Sequence, residues 1–270
     1  MILKYSLVGF KVLVNAEDGI EPPFPKQFEL DADDICDIKI SVVSDGNIDS
    51  CYGISCFTPD KDVYKIFVSN QDSRNFLCAV SADYDEFKII CGGYRGKETI
   101  AELIMIACYS YMSLRNTLLL HASAVSHNGR AVVFTAPSGT GKTTQAQLWE
   151  KYRNAKILNG DKVFLKLDGG VISAWGSPWK GSSPYEINES APLKAIVVLR
   201  QSDGNALRKL SVSEAMELFV PQIFFPNWDA ECEQSTLDFL DNLMTNSDIC
   251  LLNCRPDEQS VDLLCNELFG

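Results

Sequence analysis

The feature of this sequence that most restricts its fold is a glycine-rich segment between an apolar run and a helical pattern. Residues 136–143, APSGTGKT, match the pattern GxxxxGK[ST] at every fixed position except the first, where Ala136 replaces glycine. Gly139 and Gly141 permit backbone angles and a close approach that side chains would block, so consecutive N–H groups can point at phosphate oxygens. The run AVVFTA before the segment predicts a strand, and the spacing after it predicts a helix from near Lys142 to about Tyr152. The order of strand, loop and helix predicts a phosphate-binding loop; the alternative is an ordinary glycine-rich turn.

Three side chains near this loop can carry chemistry. Lys142 can reach the β and γ phosphates of a nucleotide, and the hydroxyl of Thr143 can take a position on Mg²⁺. Asp161 ends the short strand ILN that follows the predicted helix. Its carboxylate can hold Mg²⁺ or accept a proton, or it can be an ordinary turn aspartate in Asn-Gly-Asp.

Composition excludes several classes of protein. With 24 Lys and Arg against 36 Asp and Glu, the net charge is -12, so general attraction to nucleic acid or to an anionic membrane is not expected. The start of the chain lacks a signal-peptide pattern, and no apolar stretch is long enough to suggest a membrane span. The 10 cysteines are scattered without CxxC spacing, which indicates reduced thiols and a cytoplasmic protein. The 2 histidines exclude a histidine-rich zinc site.

The texture of the chain divides it into three parts. Residues 1–95 form a β-rich region, in which the runs YSLVGFKVLV, IKISVV, YGISCF, VYKIFVS, FLCAVSA and FKIICGG alternate with turn signals at the spacing of an antiparallel sheet. Residues 96–115 are predicted to form a connecting helix. Residues 116–270 carry the phosphate loop, and because a tight hairpin at Gly169 and Gly170 follows it so closely, we expect a mixed sheet.

Three motifs together resemble a known family. HASAV, then APSGTGKTTQAQLW, then ILNGDKVFL are similar to the catalytic core of HPr kinase/phosphorylase, and so to the nucleotide domain of phosphoenolpyruvate carboxykinase. The resemblance covers residues 117–199 well, the rest of the C-terminal part loosely, and the N-terminal region not at all. It implies an α/β fold of α+β character, with a mixed-sheet phosphate-loop domain. It also implies a nucleotide site formed by Ser138, Gly139, Thr140, Gly141, Lys142, Thr143 and Thr144.

The resemblance assigns roles to other positions and departs from this chain at two. It places His121, which the sequence alone leaves open as an ordinary core histidine, facing the phosphates and metal. Lys142 and Asp161 are then catalytic residues, and Thr143 with Asp161 are metal ligands. Members of the family carry two adjacent acids where this chain has Gly160 and Asp161. They carry Arg-Gly where this chain has Lys180 and a glycine, so Lys180 either neutralises the transferred phosphate or is a solvated lysine in a turn.

The implied activity is a phosphotransferase. Its substrates are the Mg²⁺ complex of ATP or GTP and a hydroxyl, in the first instance a serine of a protein or peptide. The resemblance also implies a homo-oligomer. A second interpretation is a nucleotide-binding sensor or scaffold that lost transfer with the missing acid. A carboxykinase ranks third, because the chain is short and shows no counterpart of that family's full substrate-binding apparatus.

Overall fold

The computed structural model divides the chain into two compact units. The first consists of Met1–Arg115 with Pro226–Ser235, and the second of Asn116–Phe225 with Thr236–Gly270. The predicted strand YGISCF lies outside the residues that the structure describes, as do the side chains of Cys51, Cys56, Cys78 and Cys91. The described residues are 1–31, 35–44, 81, 83–90 and 97–270, together with the backbone of 65–68 and 76–79.

The first unit contains a six-stranded sheet and a helix. In the sheet the strand order is β1-β2-β3-β6-β5-β4. Helix α1, Lys97–Ser113, contacts β3, β5 and β6. The strands are Ile2–Leu7 (β1), Phe10–Ala16 (β2), Ile38–Val43 (β3), Lys65–Val68 (β4), Phe76–Ala79 (β5) and Glu86–Ile90 (β6).

The expectation of an antiparallel sheet in the N-terminal region is wrong. Strand β3 pairs in parallel with both β2 and β6, while β1–β2, β4–β5 and β5–β6 are antiparallel. Parallel neighbours need a long connection rather than a tight turn. The connection between β2 and β3 has that length, and it includes a short 3-10 helix at Lys26–Phe28. The single run YSLVGFKVLV is in fact two strands, separated by Val8 and Gly9, which both have positive φ.

A second piece of chain completes the packing of α1. Within the first unit, Trp228 Nε1 donates to Ser110 Oγ at 3.0 Å, and Ser235 Oγ donates to the Ser113 carbonyl at 2.7 Å. The Ser110 hydroxyl also donates to the Ile106 carbonyl at 2.8 Å, and the Ser113 hydroxyl donates to the Ser110 carbonyl at 3.2 Å, so both buried hydroxyls are bonded.

The second unit is built on a mixed sheet, as the sequence predicts. Its strand order is β11-β10-β7-β8-β12-β14-β13, with β9 beside β7 and a further pairing of β11 with β12. The strands are Thr117–His127 (β7), Arg130–Thr135 (β8), Lys156–Asn159 (β9), Lys162–Asp168 (β10), Val171–Trp175 (β11), Ser190–Gln201 (β12), Ala206–Lys209 (β13) and Ile249–Cys254 (β14). The helices are Lys142–Arg153 (α2), Val212–Leu218 (α3) and Glu258–Phe269 (α5), together with α4, Ala230–Asn246, which belongs to this unit from Thr236 onward.

Apolar side chains cover both faces of the central strands β8, β12 and β14. Val133, Ile196 and Leu251 belong to a cluster with residues of α3 and α4. Val132 and Leu252 face the opposite cluster, which includes residues of α2 and α5. Successive side chains of a strand point to opposite faces, so a strand buried on both sides reads as a continuous apolar run. The sequence did not predict the exposed edge strand β13, because its short polar segment lacks such a run.

The parallel pairing places the glycine-rich loop, residues 136–143, at a defined edge of this sheet. Strands β8, β12 and β14 run in the same direction, with Val198 beside Thr135 and Gln201 beside Cys254. Their carboxyl ends therefore meet at one edge, which is where ligands bind in open α/β sheets. No helix in the described part of the chain has both the length and the apolar character needed to cross a lipid bilayer.

Replacing Gly176 with alanine should strongly destabilise this unit. An added Cβ would lie 2.2 Å from the Ile187 carbonyl oxygen and 2.6 Å from the Leu158 carbonyl oxygen, and backbone atoms cannot move aside cheaply. We expect a loss of about 1–3 kcal/mol in the free energy of unfolding, measured by urea denaturation. The matched control is Gly204→Ala, where nothing lies within 4 Å of the added Cβ. Equal stability of the two variants would contradict this packing.

Candidate functional site

The glycine-rich loop that the sequence predicts to bind phosphate joins the end of β8 to the start of α2. Gly139 has φ 79° and Gly141 has φ 110°, values that favour glycine and let the loop curl around an anion. Ala136 is not among the residues with positive φ and is fully buried, which explains why alanine is accommodated where the pattern has glycine. Because α2 begins at Lys142, its positive end faces the inside of the loop.

The Lys142 side chain lies in the hollow of the loop and is nearly buried. Its ammonium donates hydrogen bonds to the carbonyls of Ala136, at 2.9 Å, and Pro137, at 3.4 Å. Ser123 Oγ donates to the Lys142 carbonyl at 2.8 Å and so ties the helix start to β7. Burial lowers the pKa of the Lys142 ammonium, and the Asp161 carboxylate acts in the opposite direction. The ammonium is therefore held by carbonyl oxygens, at a place where a phosphate would be a stronger partner.

One cavity of about 280 Å³ brings most of the predicted residues together. The Thr143 hydroxyl donates to the Gly160 carbonyl at 3.1 Å, which links the loop to the turn that carries Asp161. Thr140 does not line this cavity but two neighbouring ones of about 330 Å³ and 670 Å³. The cavity is lined by His121, Ser138, Gly139, Gly141, Lys142, Thr143, Thr144, Gly160, Asp161, Gly181, Ser182 and Ser183.

His121 reaches the site because β7 changes partners there. Residues 117–121 of β7 pair with β10, and residues 122–127 pair with β8. His121 Nε2 lies 3.8 Å from Asp161 Oδ1, too far for a hydrogen bond. Burial first, then the charges of Lys142 and Lys162, lower the pKa of His121, and Asp161 only partly opposes them. This shift favours the neutral imidazole, which can accept a proton.

A buried asparagine holds the turn that presents Asp161. Asn159 Oδ1 accepts hydrogen bonds from the backbone N–H groups of Asp161, at 2.8 Å, and Lys162, at 2.9 Å. Its amide nitrogen donates to the carbonyls of Ser177, at 2.9 Å, and Trp179, at 3.2 Å. Asn159 thus ties the Asp161 turn to the loop after β11. Sequence reasoning missed its role, although asparagine two residues before an aspartate is a known turn signal.

The loop after β11 packs directly on the turn that ends β9. A Cβ on Gly181 would lie 2.9 Å from the Asp161 carboxyl carbon, and a Cβ on Gly160 would lie 2.0 Å from Ser183 Oγ. The second acid that the sequence resemblance places at position 160 would therefore fit only if the Ser183 side chain moved. In this chain Gly160 packs against the Ser183 side chain.

The structure does not bring Lys180 into the cavity. Its side chain is exposed and forms an ion pair with Glu186, and the cavity lining contains its neighbour Gly181 instead. An exposed pair of this kind contributes little to stability. Lysine at this position therefore reaches a phosphate in the cavity only if it leaves Glu186.

Carboxylates are sparse around the loop. Among the described residues, no group of three or more His, Cys, Asp or Glu could hold a metal ion. A cation at this site would need oxygens from its ligand in addition to Thr143 and Asp161. Mg²⁺ is commonly held in this way, by one or two protein groups together with substrate phosphates and water.

Comparisons with known proteins add a structural neighbour. No family model and no curated protein matches the chain. The solved structure of the HPr(Ser) kinase/phosphatase from Coxiella burnetii is similar over 55% of this chain and 94% of that one, with 9% identity and a TM-score of 0.35. An identity and a TM-score this low carry no argument about the site, so its chemistry is inferred from its own residues.

Proposed function

We propose that this protein binds a Mg²⁺-nucleotide and transfers the terminal phosphoryl group to a hydroxyl of a protein or peptide. The observation that carries the proposal is the shared cavity: a phosphate loop with a buried lysine, a hydroxyl at the helix start, a carboxylate and a neutral histidine all line it. A purely structural glycine-rich turn would have no need of a buried ammonium at its centre.

Charge stabilisation is the role we assign to the loop. Phosphoryl transfer depends mainly on positioning and on stabilising charge at the phosphate oxygens. The loop N–H groups and the start of α2 favour the β phosphate, and the Lys142 ammonium exchanges its carbonyl partners for phosphate oxygens. Thr143 and Asp161 fit Mg²⁺, since both offer oxygens to the same cavity. When bound, Mg²⁺ neutralises charge on the phosphates.

Proton removal from the acceptor falls to Asp161 or His121. The acceptor oxygen forms a bond to the γ phosphorus, the bond from that phosphorus to the bridging oxygen breaks, and the nucleoside diphosphate leaves. The hydroxyl proton passes to the carboxylate or to the neutral imidazole. Both groups line the cavity, and 3.8 Å separates their nearest polar atoms, so either can serve one acceptor position.

A second candidate, a nucleotide sensor without transfer, is favoured by one observation. The site has a single carboxylate, and the space beside Gly160 that a second acid would need is occupied by Ser183. A sensor would bind the nucleotide as tightly as an enzyme does. It would release no phosphate to any acceptor.

Ligand-induced stabilisation tests the nucleotide site first. A ligand present at 100 times its Kd adds about 2.7 kcal/mol to the free energy of unfolding, which raises the unfolding midpoint by several degrees. We expect this rise with Mg-ATP or Mg-GTP and a smaller one in EDTA. Transfer of γ-labelled phosphate to serine-containing peptides would then separate the enzyme from the sensor. No rise with either nucleotide would overturn the proposal.

A further inference from the structure

The Ser183 hydroxyl is a buried polar group without a hydrogen bond in the described part of the chain. Its Oγ is shielded from solvent and has no hydrogen-bond partner among the residues that the structure describes. A buried hydroxyl left in this state destabilises the fold relative to one that is bonded. Such groups are rare, and each calls for an explanation, such as a catalytic role or contact with a water or an ion.

The position of Ser183 indicates which kind of ligand could bond its hydroxyl. Ser183 lines the cavity of about 280 Å³ together with Lys142, Thr143 and Asp161. Its Oγ lies over Gly160, whose carbonyl accepts the Thr143 hydroxyl, so Ser183 stands beside the proposed phosphate and Mg²⁺ positions. Lys142 and Lys162 outnumber the one carboxylate, Asp161, in this neighbourhood, which favours an anion there.

Reorienting the hydroxyl requires little movement. Pro184 follows Ser183, and the residue before a proline is restricted to extended backbone. The serine side chain has three staggered positions about its first torsion, so its hydroxyl can turn while the loop backbone stays in place.

We propose that Ser183 is a phosphate-contacting residue, whose hydroxyl donates a hydrogen bond to the terminal phosphate of the bound nucleotide. This rests on the proposed function and extends it. The hydroxyl lies where the side chain of a second acid at position 160 would lie. A neutral hydroxyl, which can donate a hydrogen bond to phosphate, therefore takes the place of a negatively charged carboxylate.

The test compares Mg-ATP with Mg-ADP in the Ser183→Ala variant. The variant should unfold, without nucleotide, at the same temperature as the wild type or slightly higher, because an unbonded hydroxyl is removed. It should bind Mg-ATP about tenfold more weakly, the effect of losing one hydrogen bond to a charged group. Its affinity for Mg-ADP should equal that of the wild type, since ADP lacks the γ phosphate. Ser190→Ala, at an exposed serine that starts β12, is the control.

Four results would overturn the proposal, and they separate its failure from that of the function. Equal Mg-ATP affinity in Ser183→Ala and wild type would remove Ser183 from the site while the function stands. Equal weakening toward ATP and ADP would indicate altered loop packing. Phosphate found covalently on Ser183 by mass spectrometry would make it an acceptor. A wild type that binds neither nucleotide would overturn both proposals.

Discussion

The Lys142→Ala variant should lose the thermal stabilisation by Mg-ATP and retain about 10⁻²–10⁻³ of the phosphoryl-transfer rate, the usual effect of losing one charge-stabilising donor. The Lys142 ammonium is the cation at the centre of the loop, bonded to carbonyls at 2.9 Å and 3.4 Å. Differential scanning fluorimetry measures the midpoint, and release of labelled phosphate measures the rate.

The pKa of Lys142 supports this expectation. In the folded chain the pKa lies below its ordinary value, so the fold disfavours the charged form relative to the unfolded chain. Near neutral pH this lysine therefore opposes stability, a penalty that disappears only as pH rises above the unfolded pKa. A bound phosphate reverses the effect, because an adjacent anion raises the pKa of an ammonium.

A second lysine of the same helix provides the control for Lys142. Lys151 is exposed on α2 and lies over the Tyr152 ring at 4.7 Å, away from the loop. The Lys151→Ala variant should keep both the Mg-ATP stabilisation and the rate. If Lys142→Ala kept them too, the loop would not be the nucleotide site.

The Asp161→Asn variant should lower the transfer rate by about 10²–10⁴, the usual contribution of a general base. Asparagine keeps the size of the side chain and the backbone N–H that bonds Asn159 at 2.8 Å, so the turn should persist. The carboxylate's ability to take a proton is lost, together with its charge toward Mg²⁺. Single-turnover rates at saturating Mg-ATP separate this loss from weaker binding.

An exposed aspartate on the neighbouring strand is the control for Asp161. Asp168 ends β10, beside the glycine turn, and Asp168→Asn should leave the rate unchanged. If Asp161→Asn also leaves it unchanged, His121 is the base. The rate should then fall as pH drops through the pKa of His121, which lies below its ordinary value of 6.5.

Much of the second unit could be predicted from local sequence. Strands β8, β12 and β14 are apolar runs because both their faces are buried, and glycines mark the loop because positive φ requires them. The N-terminal sheet shows the limit of such reasoning. Alternation along IKISVV identifies the strand β3, but its parallel partners lie far away in sequence, and a strand's own residues do not encode the direction of its neighbour.

The glycine-rich loop, its lysine and the helix that follows could be predicted from the chain alone, because they depend on residues adjacent in sequence. Which other groups surround the loop depends on the tertiary fold. His121 lies in the site because β7 changes partners at that residue. Asn159 lies there because its side chain bonds two separate segments, and Ser183 because Gly160 leaves room for its side chain. Lys180, adjacent in sequence to Gly181 of that cavity, turns instead to Glu186. Side-chain direction and long-range contact depend on packing between distant segments, which no local pattern contains.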